Sequence, residues 1–511
     1  MKKAYIYILF ITLAPLFNSC DEFLEESPSK TSSIAPESLE DYEAILNSYR
    51  NFYSESVFSS IFGTDDYELS TEMYDNFSRA YDTYQPIYGT WDMELAANES
   101  ARWSGWSEEW EKIFTANLIL SGINSVSASE EDKANIIAEC HFIRAYSYFQ
   151  LANIFCLPYT EANKQELGLP IKETTSFDES IERATLEETY ALIESDLSKA
   201  LEITREFGDA NGLKYSWRAS TAAVNSFAAR YYLALNDYVS AQSYAQKALD
   251  EYDYLRNYNT DMRYSDIPSY VTIFNPNATQ VELFYPYTHD LQTVHEDRME
   301  FGELYYYRML NNAVWAYWPS EELLGLYDQT NDLRYKYHMV EDYTYDRGSL
   351  NPPYSYPGYI FFFKSDIPSG PSVPEMLLIK AECQVRQGLW SDGLETANIL
   401  RAKRMDASAD PSEINLTASS QEEALVKIIE ERRREMPFVH RWYDIRRYNN
   451  NSDSADDVIL SRTFYPFNSS IILGDETPVT TTLDVNSRKY AFPIPNEEIL
   501  ISNGALEQNQ Y

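Results

Sequence analysis

Residues 228–249 read AARYYLALNDYVSAQSYAQKAL, and residues 380–401 read KAECQVRQGLWSDGLETANILR. With Tyr238 and Trp390 as origins, the two segments align. Ala229 and Ala381 stand nine residues before the aromatic, Ala241 and Gly393 three after it, and Ala245 and Ala397 seven after it. A short turn precedes each origin, Asn236-Asp237 in one copy and Gln387-Gly388-Leu389 in the other. Small residues three and four apart share one helical face and let a neighbouring backbone approach closely. Each segment therefore predicts two helices folded about a tight turn, with the aromatic wedged at the turn. Such a unit cannot bury its apolar face alone, and stacking it on its neighbours builds a continuous core.

This is the logic of the tetratricopeptide repeat. The expected class is mostly α, a tetratricopeptide-like helical-repeat scaffold with long irregular loop regions. Other amphipathic stretches agree. Helices are predicted over Leu39–Tyr49, Trp106–Ile123 and Glu130–Phe155. The last carries Ile136, Ile137, Cys140, Ile143, Ala145, Tyr148 and Leu151 at helical spacing, the mark of one buried face. Thr185–Ile203 opens on a capping box, Thr185-Leu186-Glu187-Glu188, with Tyr190, Ile193, Leu197 and Leu201 on one stripe. Residues 56–105 and 259–375 show little periodicity and are loaded with Tyr, Trp, Asp, Asn, Pro and Gly. Loops of that length inside a compact body are commonly functional.

The amino terminus decides the compartment. Lys2 and Lys3 precede an apolar run from Ala4 to Leu16, and the small pair Asn18-Ser19 stands before Cys20. The run is shorter than the roughly 18–20 residues that span a bilayer, and the acidic Asp21, Glu22, Glu25 and Glu26 behind it do not suit a stop-transfer segment. Residues 1–19 thus read as a secretory leader and Cys20 as a lipidation site. Residues 20–40 form a polar leash, and 41–511 one body. Two or three acyl chains, at about 0.8 kcal/mol per buried methylene, hold such a body at a bilayer without spanning it. The chain carries 41 Lys+Arg against 80 Asp+Glu, a net charge of −39, which repels nucleic acid and anionic headgroups and excludes both as partners. Past Cys20 an odd set remains, Cys140, Cys156 and Cys383, with no metal-ligand spacing. Cys140, among Ala138, Phe142 and Ala145, reads as a small core residue. No cofactor or metal is expected.

The order of further motifs resembles the SusD/RagB family of outer-membrane nutrient-capture lipoproteins from Bacteroidota. Trp106-x3-Trp110-x2-Ile113-x2-Ala116-Asn117 is similar to the family's first hallmark helix, and Ala138-x3-Phe142-x-Arg144-Ala145-Tyr146-x-Tyr148-Phe149 to its next. Gly168-Leu169-Pro170-Ile171, Arg183-Ala184-Thr185-x2-Glu188-x-Tyr190 and Lys380-Ala381-Glu382 follow in order. Glu430-Glu431-Arg432-Arg433-Arg434-Glu435 leading into Phe438-x-His440-Arg441-Trp442-x-Asp444-x-Arg446-Arg447 is the most specific block. The tail runs from Phe492-Pro493-Ile494-Pro495 to Gln508-Asn509-x-Tyr511. One departure stands out: where the family often has Phe-x-Gly-x-Arg, this chain has Phe438-Val439-His440-Arg441, which predicts an altered turn. The arginines of this block are expected to pair with Glu430, Glu431, Glu435 and Asp444, and His440 to belong with them.

The resemblance implies a SusD-like fold and a cell-surface receptor that captures oligosaccharide and delivers it to a SusC-like TonB-dependent transporter. In a RagB-like branch the cargo is peptide. A sugar ring needs flat aromatics beside polar side chains, and the chain has 9 Trp and 43 Tyr. The candidates in the loop regions are Trp91, Trp103, Trp315 and Trp318, then Tyr88, Tyr285, Tyr287 and Tyr317, with Asp65, Asp66, Asn76, Asp82, Asp92 and Arg308 as polar partners. For any one of these tryptophans core packing is the alternative role. A protein–protein scaffold is a second reading, since such repeats commonly bind other chains. No hydrolase, metalloprotease or nucleotide-binding motif is present, and no enzyme is expected. Mass spectrometry of the cell-derived protein checks the first inference: its mature chain begins at an acylated Cys20, and an unmodified Cys20 or a retained leader overturns it.

Overall fold

A computed structural model of the chain describes residues 36–55, 59–76, 81–98, 105–210, 213–274, 278–292, 294–311, 317–341, 356–362, 366–469 and 471–511. The leader, Cys20 and the leash as far as residue 35 lie outside the described residues, as do Trp103 and Trp315. The principal helices are α1 (Leu39–Asn47), α2 (Trp106–Gly122), α3 (Glu130–Phe155), α4 (Leu186–Ala200), α5 (Thr221–Ala234), α6 (Tyr238–Glu251), α7 (Leu333–His338), α8 (Val373–Arg386), α9 (Trp390–Arg404), α10 (Gln421–Glu435) and α11 (Arg441–Tyr448). Many begin where a side chain can satisfy an orphan N–H. Ser38, Ser129, Thr185, Ser220, Asp237, Ser372 and Ser420 each accept from the backbone N–H three residues on, at about 1 kcal/mol per cap. The predicted box at Thr185 is present, with Glu188 reaching back to the cap. The helix predicted to Tyr49 stops at Asn47, and a separate 3-10 turn, Tyr49–Asn51, follows.

The two matched segments form the hairpins α5–α6 and α8–α9, and α6 packs on α8, so the copies are neighbours. Ala229, Ala241, Ala245, Ala381 and Ala397 have no exposed surface. A Cβ on Gly393 would come within 2.7 Å of the Ala381 carbonyl, so only glycine permits this approach. Both turns pass through the left-handed region two residues before the aromatic, at Asn236 (φ 58°) and Gly388 (φ 86°), which suits Asn and Gly. α3 departs from the single buried stripe expected of it, being buried on all sides from Ala138 to Phe155. The reason is that α2 and α4 flank it and the loop ring Tyr306 packs on Phe142 with centroids 4.8 Å apart. Cys140 is buried there.

Five strands serve the site. β1 (Ser54–Glu55) lies parallel to β4 (Met309–Asn311), which pairs antiparallel with β5 (Asp366–Pro368), numbering the hairpin β2 (Ser269–Phe274) and β3 (Ala278–Leu283) between them. The small sheet thus stitches the first loop region to the second. Buried apolar side chains form one contiguous cluster from Tyr42 to Leu506.

Charge is organised inside this core. Asp196 of α4 takes a two-pronged bond from Arg144 of α3 (2.6 and 2.7 Å), and Arg144 also donates to Asn117 of α2 (2.8 Å). Arg230 of α5 forks onto Glu375 of α8 (2.9 and 2.6 Å), and Arg447 of α11 onto Glu382 of α8 (2.6 and 2.7 Å). In the carboxy-terminal block, Arg432 and Arg447 both hold Asp444 at 2.8 Å. Arg434 holds Glu431 at 3.0 Å, and Glu435 meets Arg334 and Arg404 at 2.9 Å. The expected pairings are therefore present for Glu431 and Asp444, whereas Glu435 takes its partners, Arg334 and Arg404, from outside the block; His440 is buried 3.7 Å from Glu375. Arg446 differs: its Nη2 donates to the Cys156 carbonyl at 2.9 Å and its Nη1 to the Tyr490 carbonyl. The missing glycine shows as an unusual backbone, with Phe438 itself at φ 70°. Its ring is buried against Tyr317 and Tyr359, centroids 5.5 Å from each, and that packing offsets a strain of order 1–3 kcal/mol.

Burial alone raises the Glu431 carboxyl, but Arg334, Arg434 and Arg401 outweigh it and hold the group well below the usual carboxylate range. Glu382 is held down in the same way by Arg447 and Arg386. Groups depressed in the folded state contribute stability that is complete above the unfolded carboxylate pKa, near 4, and lost as pH falls toward the folded value. Unfolding free energy from urea titrations is expected to stay level from about pH 7 to about pH 5 and to fall steeply below about pH 4. Glu431→Gln, which strands three buried guanidinium partners, is expected to lose about 3–5 kcal/mol at pH 7 and to show a shallower acid limb.

Candidate functional site

Most of the loop aromatics singled out above are spent on packing. Trp91 sits at φ 56° with 1% of its surface exposed, and its indole N–H donates to the Gly63 carbonyl at 3.1 Å. Tyr88 packs edge-on against Phe492 at 5.5 Å. Tyr317 lies between Phe438 and the backbone of Tyr359, and Trp318 is buried with its carbonyl accepting from Glu68 at 2.8 Å. Tyr285 stacks on His289, centroids 4.7 Å apart. Tyr287 is buried with the Arg263 and Arg256 guanidinium groups near its ring at 5.2 and 5.9 Å; burial lifts its hydroxyl pKa to about 12. None of these rings offers an open face.

The polar candidates divide the same way. Asp65 takes both prongs of Arg441 at 2.7 Å. Asp66 pairs with Arg433 at 2.9 Å and accepts the Phe438 N–H at 3.1 Å. These aspartates thus belong to the charge network rather than to a ligand surface, a correction to their assignment as polar partners: Arg433 and Arg441 reach beyond their own segment for carboxylates. Arg308 is wholly buried over the rings of Tyr146 and Tyr306, at 4.8 and 5.4 Å, with Glu109 3.9 Å away. Asn76 and Asp82 are exposed, and Asp92, half-buried, caps the turn Met93–Ala96.

An open groove of about 760 Å³ lies at the amino-terminal end of α2. Trp106, Trp110 and Phe114 line it at every fourth residue of the helix, which sets them in one row. Trp106 and Trp110 meet edge to face at 5.6 Å. They are fixed from behind by Phe155 and Tyr148, at 4.9 and 5.5 Å respectively. Phe114, at the open end, is 45% exposed. Arg50, Asn51 and Ser54 supply further lining, with Glu111 and Glu498 as acidic members. The walls are tied together by Lys112, whose ammonium donates to the Ser54 carbonyl at 2.6 Å and to the Glu109 carboxylate. In sequence, Trp103 stands three residues before Trp106, and Trp315 four after Asn311 at the end of β4, the strand paired with Ser54 and Glu55. Trp106 is buried at 5% exposure, so the half-buried Trp110 and the exposed Phe114 are the rings that can stack on flat apolar faces, beside side chains that can bond hydroxyls. Phe114 is not among the candidates read from the loop regions; its signal in the sequence is an aromatic at every fourth residue from Trp106 to Phe114.

A second groove, of about 580 Å³, contains Trp91 and Asp92 beside Tyr465, Phe467 and Tyr511. A third, of about 560 Å³, holds Tyr264, Phe284, Tyr335 and Tyr337. Among the described residues no cluster of three or more His, Cys, Asp or Glu could hold a metal ion, and no helix is long and apolar enough to cross a membrane.

Comparison with known proteins agrees with this architecture. Residues 22–233 match a SusD-like family described as starch-binding and associating with the outer membrane, and residues 374–511 match the SusD/RagB family proper. The chain belongs to the SusD/RagB family, and its fold is the mostly α, SusD-like one. A SusD-like protein of Formosa agariphila is 23% identical over 440 residues, covering 79% of each chain. A second from that organism is 30% identical over 164 residues, a match spanning 30% of this chain and 29% of that protein. Among solved structures, a SusD superfamily protein from Bacteroides thetaiotaomicron superposes with a TM-score of 0.62 at 18% identity, over 93% of this chain and all of the other. A laminarin-binding SusD-like protein superposes with a TM-score of 0.55 at 16% identity, over 93% of this chain and 99% of its own.

Core and groove aromatics are separable by stability. Trp91→Ala is expected to cost about 3–5 kcal/mol, whereas Phe114→Ala should stay within about 1 kcal/mol of the parent, both read from urea unfolding midpoints.

Proposed function

We propose that the protein is a lipid-anchored, cell-surface receptor that captures oligosaccharide in the Trp106–Trp110–Phe114 groove and delivers it to a SusC-like TonB-dependent transporter. The observation that carries this is the end of the aromatic row, Trp110 and Phe114, open to the groove and backed by the buried Trp106. Pyranose rings present apolar C–H faces to such a row and hydroxyls to a polar rim, here Arg50, Asn51 and Glu111. The groove volume lies in the range of sites that take ligands of several rings. The starch-binding description of the family and the laminarin-binding relative support a glycan over a peptide. The acidic body disfavours anionic chains, so the reading narrows to neutral glycans.

The role is retention and transfer without chemistry on the sugar. The repeats offer a surface for the transporter: Val239 and Leu389 are exposed at the two adjacent turns, which are bridged by Gln387 donating to Gln242 at 2.8 Å. Acylated Cys20 would keep the receptor within reach of that partner. Affinity electrophoresis against laminarin, soluble starch and anionic alginate tests the reading. A neutral polysaccharide is expected to retard the protein, and Trp110→Ala with Phe114→Ala to weaken retention at least about tenfold. No new reducing ends should appear on long incubation. Retention of a peptide mixture in place of every polysaccharide would replace the glycan reading with the peptide one.

A further inference from the structure

We infer that the groove at the base of the β2–β3 hairpin is a second glycan-binding surface, built for a neutral saccharide segment and separate from the α2 groove. The inference rests on the reading of this protein as a glycan receptor, and extends it to a place that reading does not use. The two grooves share no lining residue and no secondary-structure element.

Single exposed aromatics are ordinary on any protein and carry no meaning. Here four converge. Tyr264 and Phe284, 43% and 48% exposed, flank the hairpin, and Tyr335 and Tyr337 of α7 face the same space. Their positions are fixed. Tyr264 is bridged to Pro286 through the backbone, and its hydroxyl donates to the Lys336 carbonyl at 3.0 Å. Its ring stands 5.5 Å from that of Tyr337 at 58°, so the two make an angled cradle and do not cover each other face to face. Tyr335 is braced from the core by Tyr327 at 6.1 Å. Rings held this way lose little freedom when a ligand arrives, which favours binding.

The rim defines the chemistry of the occupant. Glu282 and Glu341 supply acceptors for sugar hydroxyls, with Glu282 already oriented by the Tyr270 hydroxyl at 3.2 Å. The cation among the lining residues, Lys336, lies over the Tyr337 ring at 5.2 Å. Two carboxylates against one ring-bound ammonium disfavour uronic or sulfated chains and suit an uncharged glycan. Two such surfaces on one receptor raise retention of a long chain over that of a short one, because the second contact is intramolecular.

The test uses the full-length lipoprotein in detergent, with laminarin and soluble starch as probes. Tyr264→Ala with Tyr337→Ala is expected to lower retention of the retained polysaccharide at least about fivefold. The variant carrying Trp110→Ala and Phe114→Ala is expected to keep a weak residual retention that the tyrosine substitutions remove. Hydroxyl-radical footprinting of the unmutated protein gives a readout independent of whether variants fold: the polysaccharide is expected to protect Tyr264 and Phe284 from oxidation. Unchanged retention by the folded tyrosine variant, or no protection at Tyr264 and Phe284 while the α2 groove is protected, overturns the second surface and leaves the first standing. Failure of the unmutated protein to retain either polysaccharide overturns both.

Discussion

Guanidinium groups forked onto buried carboxylates hold this structure together. The forks lie between elements far apart in the chain: Arg144 to Asp196, Arg230 to Glu375, Arg447 to Glu382, Arg441 to Asp65. Each is costly to bury and is tolerated because both prongs are satisfied and further donors complete the carboxylate. The apolar core would permit helices to slide along one another; a two-pronged bond fixes register. The consequence reaches the loops. Asp65 and Asp66 moor the first irregular region to α10 and α11, so a segment with little periodicity still has a defined place.

That arrangement explains what could be read from the chain beforehand. Elements whose stability is local announced themselves: α3 runs over the predicted Glu130–Phe155, the Thr185 box is made, and the matched offsets of Tyr238 and Trp390 became adjacent hairpins. The arginine-rich block was legible in part: Arg432, Arg434 and Arg447 find the acids expected of them, whereas Arg446 turns to backbone carbonyls. The long-range partners were not. Nothing near Asp65 in sequence hints that Arg441 waits for it. The loop aromatics failed for a related reason: Trp, Tyr and Asp make a sugar platform and equally make an irregular core, where tyrosine hydroxyls bond carbonyls as Tyr148 does with Pro170. Composition cannot separate the two; only burial does. Aromatics that remained open include Phe114, at a helix position pointing outward, and Tyr264 and Phe284, which flank the β2–β3 hairpin.

The α2 groove inherits its rigidity from the same network. One face of α2 gives Ile113, Ala116 and Asn117 to the interior, and Asn117 is locked by Arg144 and by the Lys172 and Thr174 carbonyls. The helix is thus anchored before any ligand arrives: Trp106 is buried with that interior face, Trp110 stands at its margin, and Phe114 turns outward from it. Lys112 extends the anchor to β1, and through β1 to β4 and the second loop region. Binding to such a surface spends little on ordering the protein, which matters when each sugar ring contributes only a modest stacking energy.

Putting arginine inside also decides what the outside is like. Among the described residues fourteen arginines and Lys112 are buried, against twelve carboxylates. Over a third of the 41 cations are therefore consumed by the interior, but only a small share of the 80 acids. The surface left behind is more one-sided than the net charge suggests. A ligand approaching either groove meets this field before it meets any particular residue. Anionic polymers are turned away at distances near the Debye length, about 8 Å in physiological salt, while an uncharged glycan is not. The neutral preference proposed above is thus supported by the whole surface as well as by the rims of the grooves. That one-sided surface follows from how the fold is pinned.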